Sequence, residues 1–216
     1  SLMKKLLPLL LLTLTACTPP AQTAPTQSPH AYTSLPTGQN TRTLNNTGFV
    51  IGYSETHQSP LWVAYRLYEI GEKQFPERAR FEADPRTAAR VQHRDYSNSG
   101  YDRGHMAPAW LMFNLYGATA HTQSFLMSNI TPQTHRFNAG AWQRLEELEA
   151  DIIPRWFKDV YSVSGVVFER EPPRLRRGIA VGHAFYKLFV GIDKRGVPHA
   201  LTVRLPHNAA PNAPLD

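Results

Sequence analysis

The residues whose side chains are best suited to catalysis lie between positions 102 and 146. Residues 102–105 read Asp-Arg-Gly-His, Asn129 lies in a second polar segment, and Asn138 begins an amphipathic stretch that carries Glu146. Hydrolysis of a phosphodiester needs a base for water and positive charge for the phosphoryl and leaving oxygens. A hard divalent ion supplies that charge and prefers oxygen ligands such as an amide carbonyl. These residue types therefore suit phosphodiester hydrolysis with one metal ion.

Each of these side chains has a candidate role. His105 can act as the base near neutral pH, Arg103 can clamp a phosphate, and Asn138 offers a carbonyl oxygen to a metal. In a regular helix Asn138 and Glu146 lie about 80° apart, so both can lean to one side, and Glu146 can hold a water on the metal. The free N–H groups of a helix that begins near Asn138 would favour a bound phosphate.

The same residues also have simpler interpretations. His105 can be an ordinary packed or surface histidine, Asn138 can be a helix N-cap, and residues 102–105 can form a turn. Residue types alone leave both interpretations open.

The N-terminus indicates export. Two residues precede Met3 and are set aside as a cloning remnant. A lysine pair follows Met3, and the apolar run 6–14, too short to span a bilayer, ends in small residues before Cys17. Residues 1–17 thus resemble a bacterial lipoprotein signal, which implies cleavage before Cys17 and lipidation of its thiol. An ordinary secretory signal with a chance cysteine is the alternative.

Composition separates a tether from a domain. Residues 18–41 are rich in Pro, Thr, Ala, Gln and Ser and predict a flexible tether, whereas residues 42–216 form the globular domain. A lipidated Cys17 would then hold this domain at a bacterial membrane, the outer one where the host has one, since residue 18 is Thr rather than Asp. The net charge of +6 is compatible with a polyanionic partner.

The elements that must position the polar residues indicate one mixed α+β domain. Strands are predicted at 49–53, 61–68, 160–168, 184–192 and 197–205, and residues 71–100 form a long irregular connection. A helix is predicted over 139–157, with Trp142, Leu145 and Ile152 on its buried stripe and a bend at Pro154. A histidine-based zinc site is not expected, because the histidines lack ligand spacing.

Three blocks, at 101–108, 125–133 and 138–146, match a known family in order and spacing. They resemble the sugar-non-specific DNA/RNA endonucleases, which carry a ββα-metal (His-Me finger) site with a DRGH motif. With support from 62–84 and 181–206, the resemblance spans about residues 45–208. It implies an α+β fold with a mainly antiparallel sheet, a long active-site helix and long loops.

The resemblance implies a role for each matching residue. His105 would be the general base, and Asn138 the only direct protein ligand of Mg²⁺ or Mn²⁺. Glu146 would orient one of the waters on that metal. Arg103 would contact phosphate or support the site, and Asn129 would brace it.

The resemblance also bears on three further positions. An arginine before Phe81 contacts phosphate in the family; Arg78 and Arg80 both compete for that role, and spacing favours Arg78. Asp102 is expected to brace the site rather than bind metal. The chain departs from the family at Ala150, where relatives carry an arginine, which leaves a second phosphate contact open.

The expected function is an endonuclease that cleaves DNA and RNA without strong sequence preference and leaves 5′-phosphate ends. The alternative is a nucleic-acid-binding surface lipoprotein with weak or no turnover, which the basic charge and Ala150 would also fit. A hydrolase of smaller phosphodiesters would use the same residues.

Overall fold

The computed structural model describes residues 41–215. The predicted signal, including Cys17, and the predicted tether up to residue 40 lie outside the described residues. Within the described range, no helix is both long and apolar enough to cross a membrane.

Two antiparallel sheets form the β structure of the described residues. The larger sheet has the strands β1 (Arg42–Asn45), β2 (Phe49–Ser54), β3 (Ser59–Leu67), β6 (Phe157–Val167), β7 (Ala184–Asp193) and β8 (Pro198–Pro206). The smaller sheet pairs β4 (Asp102–His105) with β5 (Ile130–Gln133). The order of the larger sheet is β1-β2-β3-β6-β7-β8, so β3 pairs directly with β6 and the small sheet lies in the connection between them.

Short helices complete the domain. They are α1 (Ala109–Tyr116), α2 (Ala118–Ser124), α3 (His135–Phe137), α4 (Gln143–Asp151) and α5 (Ile153–Trp156), with 3₁₀ turns at His93–Tyr96 and Met127–Asn129. Phe137 and Trp142 join this helical layer to the sheet, since their rings lie 4.9 and 5.7 Å from that of Phe185 on β7. All three side chains are fully buried, and each such burial stabilises the fold by about 2–3 kcal/mol.

The α+β class and the mainly antiparallel sheet are confirmed, and each predicted strand overlaps a strand of the large sheet. The single helix predicted over 139–157 is wrong. A π-helical turn, Asn138–Trp142, contains a non-helical Gly140 (φ −120°, ψ −110°), and a second break at Ile152 separates α4 from α5. Because of that break Ile152 is 37% exposed and Ile153 takes the buried position instead.

An ionic cluster lies inside the apolar core, and the sequence did not predict it. Lys187 on β7 donates to Glu149 on α4 at 2.7 Å, to Ser164 at 2.8 Å and to Tyr65 at 3.1 Å. Tyr65 and Ser162 in turn donate to the same Glu149 carboxylate. Both charged side chains are completely buried, yet each has several partners. We call these five residues the core ion cluster.

Candidate active site

The β4–β5 ribbon positions the Asp-Arg-Gly-His segment. Asp102 pairs with Gln133 and His105 pairs with Ile130, so the segment is a strand and not the turn that was the simpler interpretation. Gly104 lies between them, and a Cβ there would meet the Gln133 side chain at 2.2 Å. Only glycine therefore allows this side chain to pack across the strand.

His105 lies in an aromatic enclosure. Its ring centroid is 5.5 Å from that of Phe81 and 4.8 Å from that of Phe125, and its Nε2 is buried with no hydrogen-bond partner among residues 41–215. Burial, helped by the charges of Arg78 and His121, lowers the pKa of His105 to about 3. The imidazole is thus neutral at physiological pH and can accept a proton, although it is a weaker base than the sequence suggested.

Two of the three candidate arginines lie at this enclosure. The guanidinium carbons of Arg78 and Arg103 lie 5.2 and 5.9 Å from the ring centroid of Phe81. Arg103 also donates twice to the carbonyl of His93, at 3.0 and 2.7 Å, so it supports the neighbouring 3₁₀ turn. Arg80 has no hydrogen bond or ring contact among the described residues. The geometry favours Arg78 over Arg80.

Asn138 lies beside the same strand. Its Nδ2 donates to Asp102 Oδ2 at 3.1 Å, and His135 contacts the same oxygen at 2.9 Å, so Asp102 braces Asn138. The expectation that Asn138 begins the helix is wrong, as is its interpretation as an N-cap. Thr134 is the cap, and the Asn138 backbone N–H is bonded to the Thr134 carbonyl at 2.9 Å instead of being free for phosphate.

Glu146 lines a groove of about 300 Å³ together with Pro108, which follows the Asp-Arg-Gly-His strand. The π-helical turn interrupts the regular periodicity that would have put Glu146 and Asn138 on one side, so that argument does not apply. Burial raises the pKa of Glu146 to about 8; the charge of Lys187 opposes this shift and that of Glu149 adds to it. A cation bound nearby would favour the ionised form.

Asn129 fixes the exit of β4. This fully buried side chain accepts from the Ala107 N–H at 2.9 Å and donates to the carbonyls of Ala107 and Ser124 at 3.0 and 2.9 Å. Its position agrees with the predicted bracing role. Beside it, Ser128 donates to a buried Asp84 at 2.6 Å.

The sequence reasoning missed parts of this support. Asp84 is held by Arg86 at 2.6 Å as well as by Ser128, and Phe125 and Phe81 enclose the base. The Asp84-Pro85-Arg86 segment could have predicted the contact between Asp84 and Arg86, because their opposite charges flank a turn-forming proline.

Asn138 beside β4 and Glu146 on α4 carry oxygen atoms of the kind that a hard cation binds. Asn138 has its amide nitrogen on Asp102 and no partner on Oδ1 in the described range, and the carboxyl group of Glu146, which a bound cation would ionise, has no ion-pair partner there. No group of three or more His, Cys, Asp or Glu within residues 41–215 could hold a metal. Mg²⁺ accepts such a sparse oxygen set because it keeps several of its waters.

Comparisons with known proteins show which family the chain resembles. A family model described as DNA/RNA non-specific endonuclease matches residues 26–215. The Danio rerio protein "Nuclease EXOG, mitochondrial" is 38% identical over 124 residues, 55% of this chain and 35% of that protein. The Bos taurus "Endonuclease G, mitochondrial" is 28% identical over 188 residues, 80% of this chain and 60% of that protein. The chain thus spans about a third to three fifths of the length of these relatives.

The fold comparison covers more of both chains. A crystal structure of the EndoG/EndoGI complex superposes with a TM-score of 0.70 at 24% identity, over 80% of this chain and 77% of that chain. This likeness confirms the expected ββα-metal fold, in which the β4–β5 ribbon and the following helical segment form one unit.

Proposed function

Because the chain belongs to the DNA/RNA non-specific endonuclease family, we propose that it hydrolyses phosphodiester bonds of DNA and RNA at the β4–β5 site. One observation carries the proposal: His105 is a neutral imidazole with an unpartnered nitrogen, in an aromatic enclosure whose Phe81 ring also contacts two arginines. A structural histidine at this depth would normally have its polar atoms satisfied.

The chain's own residues divide the work. His105 takes a proton from water, whose oxygen attacks the phosphorus in line while the bond to the 3′ oxygen breaks, leaving a 5′-phosphate. The negative charge of the bound phosphodiester raises the pKa of His105 from about 3 toward the range in which a base is effective. Arg78 balances charge on the phosphoryl oxygens, and Arg103 holds the 3₁₀ turn and the strand together.

A divalent ion, Mg²⁺ or Mn²⁺, would stabilise the charge that develops on the phosphoryl and leaving oxygens. Asn138 Oδ1 would be its protein ligand, and Glu146 would order a water of its hydration shell. Contacts to phosphate and metal carry no base information, so little sequence preference is expected.

Plasmid DNA and a structured RNA test the proposal, each incubated with Mg²⁺ and with EDTA. We expect turnover only with Mg²⁺ and a loss of about 10²–10⁴-fold in His105→Ala, the usual contribution of a general base. His93→Ala is the matched control, because its imidazole is exposed and only its backbone carbonyl contacts Arg103. Product ends should accept a kinase label only after phosphatase treatment. Full activity in His105→Ala would refute the mechanism, and binding without turnover under any divalent ion would favour the binding lipoprotein.

We also propose that the enzyme is anchored to a bacterial membrane through lipidated Cys17. The signal-like sequence before Cys17 supports this. The full chain expressed in a bacterium with an outer membrane should incorporate labelled palmitate and fractionate with that membrane, whereas Cys17→Ser should do neither. An unmodified Cys17 in the exported protein would indicate an ordinary secretory signal.

A further inference from the structure

We propose that a basic pocket beside the active site binds the backbone phosphates of the nucleic acid strand away from the scissile bond. The inference rests on the proposed function, which supplies the nucleic acid. The cavity measures about 710 Å³ and lies between residues 94–101 and the loop 173–181. We call it the arginine pocket.

The charge of the arginine pocket is strongly one-sided. Its lining includes the four arginines Arg94, Arg174, Arg176 and Arg177 and one carboxylate, that of Asp95. Arg177 lies 3.5 Å from Asp95, whereas Arg94 and Arg176 have no ion-pair partner among the described residues. Unpaired guanidinium groups that face one cavity are the chemistry that recognises phosphodiester oxygens.

The wall that carries these arginines is held in place by buried contacts. Arg174 donates to the carbonyls of Thr56 and Gly178 at 3.0 and 2.7 Å, which ties the loop to the large sheet. Leu175 and Ile179 on the same loop are buried in a core cluster that also contains Tyr96. The backbone of this wall is therefore in place before any ligand binds, and the entropy cost of binding is restricted to the arginine side chains.

The arginine pocket shares a wall with the active site. Arg94 and Asp95 belong to the same 3₁₀ turn whose His93 carbonyl accepts both hydrogen bonds from Arg103. Tyr101, the residue before β4, lines the pocket as well. A backbone that leaves His105 along this turn would reach the arginines directly.

The path from His105 toward Glu146 is less favourable for a nucleic acid backbone than the path toward the arginine pocket. The groove on the Glu146 side contains the carboxylate of Glu147, while Asp151 is paired with Lys73 at 2.6 Å, and this lysine is the one cation among the described residues of the lining. Within that part of the chain, this groove thus offers a phosphate no unpaired cation, so electrostatics favours the direction of the arginine pocket.

The test uses Arg94→Ala/Arg176→Ala, since neither side chain has a structural partner among the described residues. The matched control is Lys194→Ala/Arg195→Ala in the β7–β8 turn. The arginine-pocket loop precedes β7 and this turn follows it, and β7 has 10 residues. The two sites are thus about 33 Å apart along the strand.

Two readouts separate the pocket from the chemistry. In a His105→Ala background, fluorescence anisotropy measures binding of a 30-nucleotide DNA over a salt series. With the base intact, turnover of bis(p-nitrophenyl) phosphate is compared with that of plasmid. We expect the Arg94/Arg176 variant to bind DNA at least tenfold more weakly, with a salt slope smaller by about 1.5–2 for two lost contacts. Its turnover of the small diester should stay within twofold, while KM for plasmid rises.

Unchanged DNA affinity and salt slope in the Arg94/Arg176 variant would overturn the inference. So would an equal loss in the Lys194/Arg195 control, which would indicate a general charge effect. Loss of binding to phosphatidylglycerol vesicles with DNA binding intact would assign the pocket to a lipid surface instead. If the wild type hydrolyses neither DNA nor the small diester, the proposed function fails. The DNA affinities measured over the salt series still test whether the arginine pocket binds phosphates.

Discussion

Glu146 and Glu149 are one turn apart on α4, and the protein treats them in opposite ways. Glu149 is fully buried and has Lys187, Tyr65 and Ser162 as partners. Glu146 is partly buried, has no ion-pair partner in the described range, and its pKa is raised to about 8 by burial. Glu149 therefore stabilises the fold, whereas Glu146 would be ionised when a cation binds beside it.

The same contrast applies to the two buried polar regions as wholes. In the core ion cluster, both charged groups are hydrogen-bonded several times, as the cost of burying charge requires. At the active site, His105 Nε2 is buried without a partner. An unsatisfied buried polar atom needs an explanation, and a bound ligand provides one for this nitrogen. The following predictions test this division from the largest effect to the smallest.

Lys187→Met should have the largest effect on stability. It leaves the Glu149 carboxylate buried and unpaired, which typically costs about 3–5 kcal/mol. Urea unfolding measures the loss. Adding Glu149→Gln removes the stranded charge and keeps an acceptor for Tyr65, so most of the stability should return. A single variant as stable as the wild type would mean that the cluster does not hold the fold.

Asn138→Ala should lower nuclease turnover by about 10²–10³-fold, the scale for loss of one oriented polar group. Because its partner Asp102 is partly exposed, the free energy of unfolding should change little. Asn138→Asp keeps an oxygen ligand and should retain part of the activity at raised Mg²⁺. Isothermal titration with Mn²⁺ checks whether the variant has lost cation affinity. Unchanged affinity would argue against Asn138 as the ligand.

Asn129→Ala should combine both kinds of effect at a smaller scale. Three backbone groups lose a buried partner, so we expect a loss of about 1–3 kcal/mol in stability, with reduced turnover because the exit of β4 is displaced. Asn208→Ala, at an exposed asparagine, is the control for both measurements. Normal turnover in a destabilised Asn129→Ala protein would restrict this residue to folding.

Near neutral pH, the smallest effect is that of the protonation of His105. Burial lowers the pKa of His105 in the folded state to about 3, so the unfolded chain binds a proton near pH 6.5 that the folded chain does not. This residue therefore makes stability fall as pH drops from about 6.5 to 3. His105→Phe keeps an aromatic ring between Phe81 and Phe125 and should show a shallower dependence in thermal unfolding. An equally steep dependence would mean that the imidazole is readily protonated in the folded protein.

The sequence predicted the large sheet well because its strands are rich in apolar and aromatic residues bounded by turn signals. It failed at β4 and β5, which are four residues each and lack alternation. Helix α1 was missed because its apolar residues form no single stripe. The site residues could be named from the order and spacing of the motifs. Their enclosure by Phe81 and Phe125 could not, because it depends on tertiary packing.

The core ion cluster shows the same limit. The sequence shows Lys187 within the otherwise apolar strand β7, which is unusual. Glu149 follows Leu145 by four residues, which puts it on the buried stripe of α4. Their pairing joins positions 38 residues apart in the chain, and only the fold brings them together.

The direct pairing of β3 with β6 has a consequence for motion. Residues 68–156, which contain every candidate active-site residue, form one insertion in an otherwise continuous antiparallel ladder. Such an insertion can open as a cooperative unit while the ladder stays closed. The ion pair between Glu149 in the insertion and Lys187 in the ladder adds to the packing of Phe137 and Trp142 that holds the insertion on the sheet. Amide hydrogens in the insertion should therefore exchange faster than those of β3 and β6, and loss of this ion pair should raise the exchange rate in the insertion more than in the sheet.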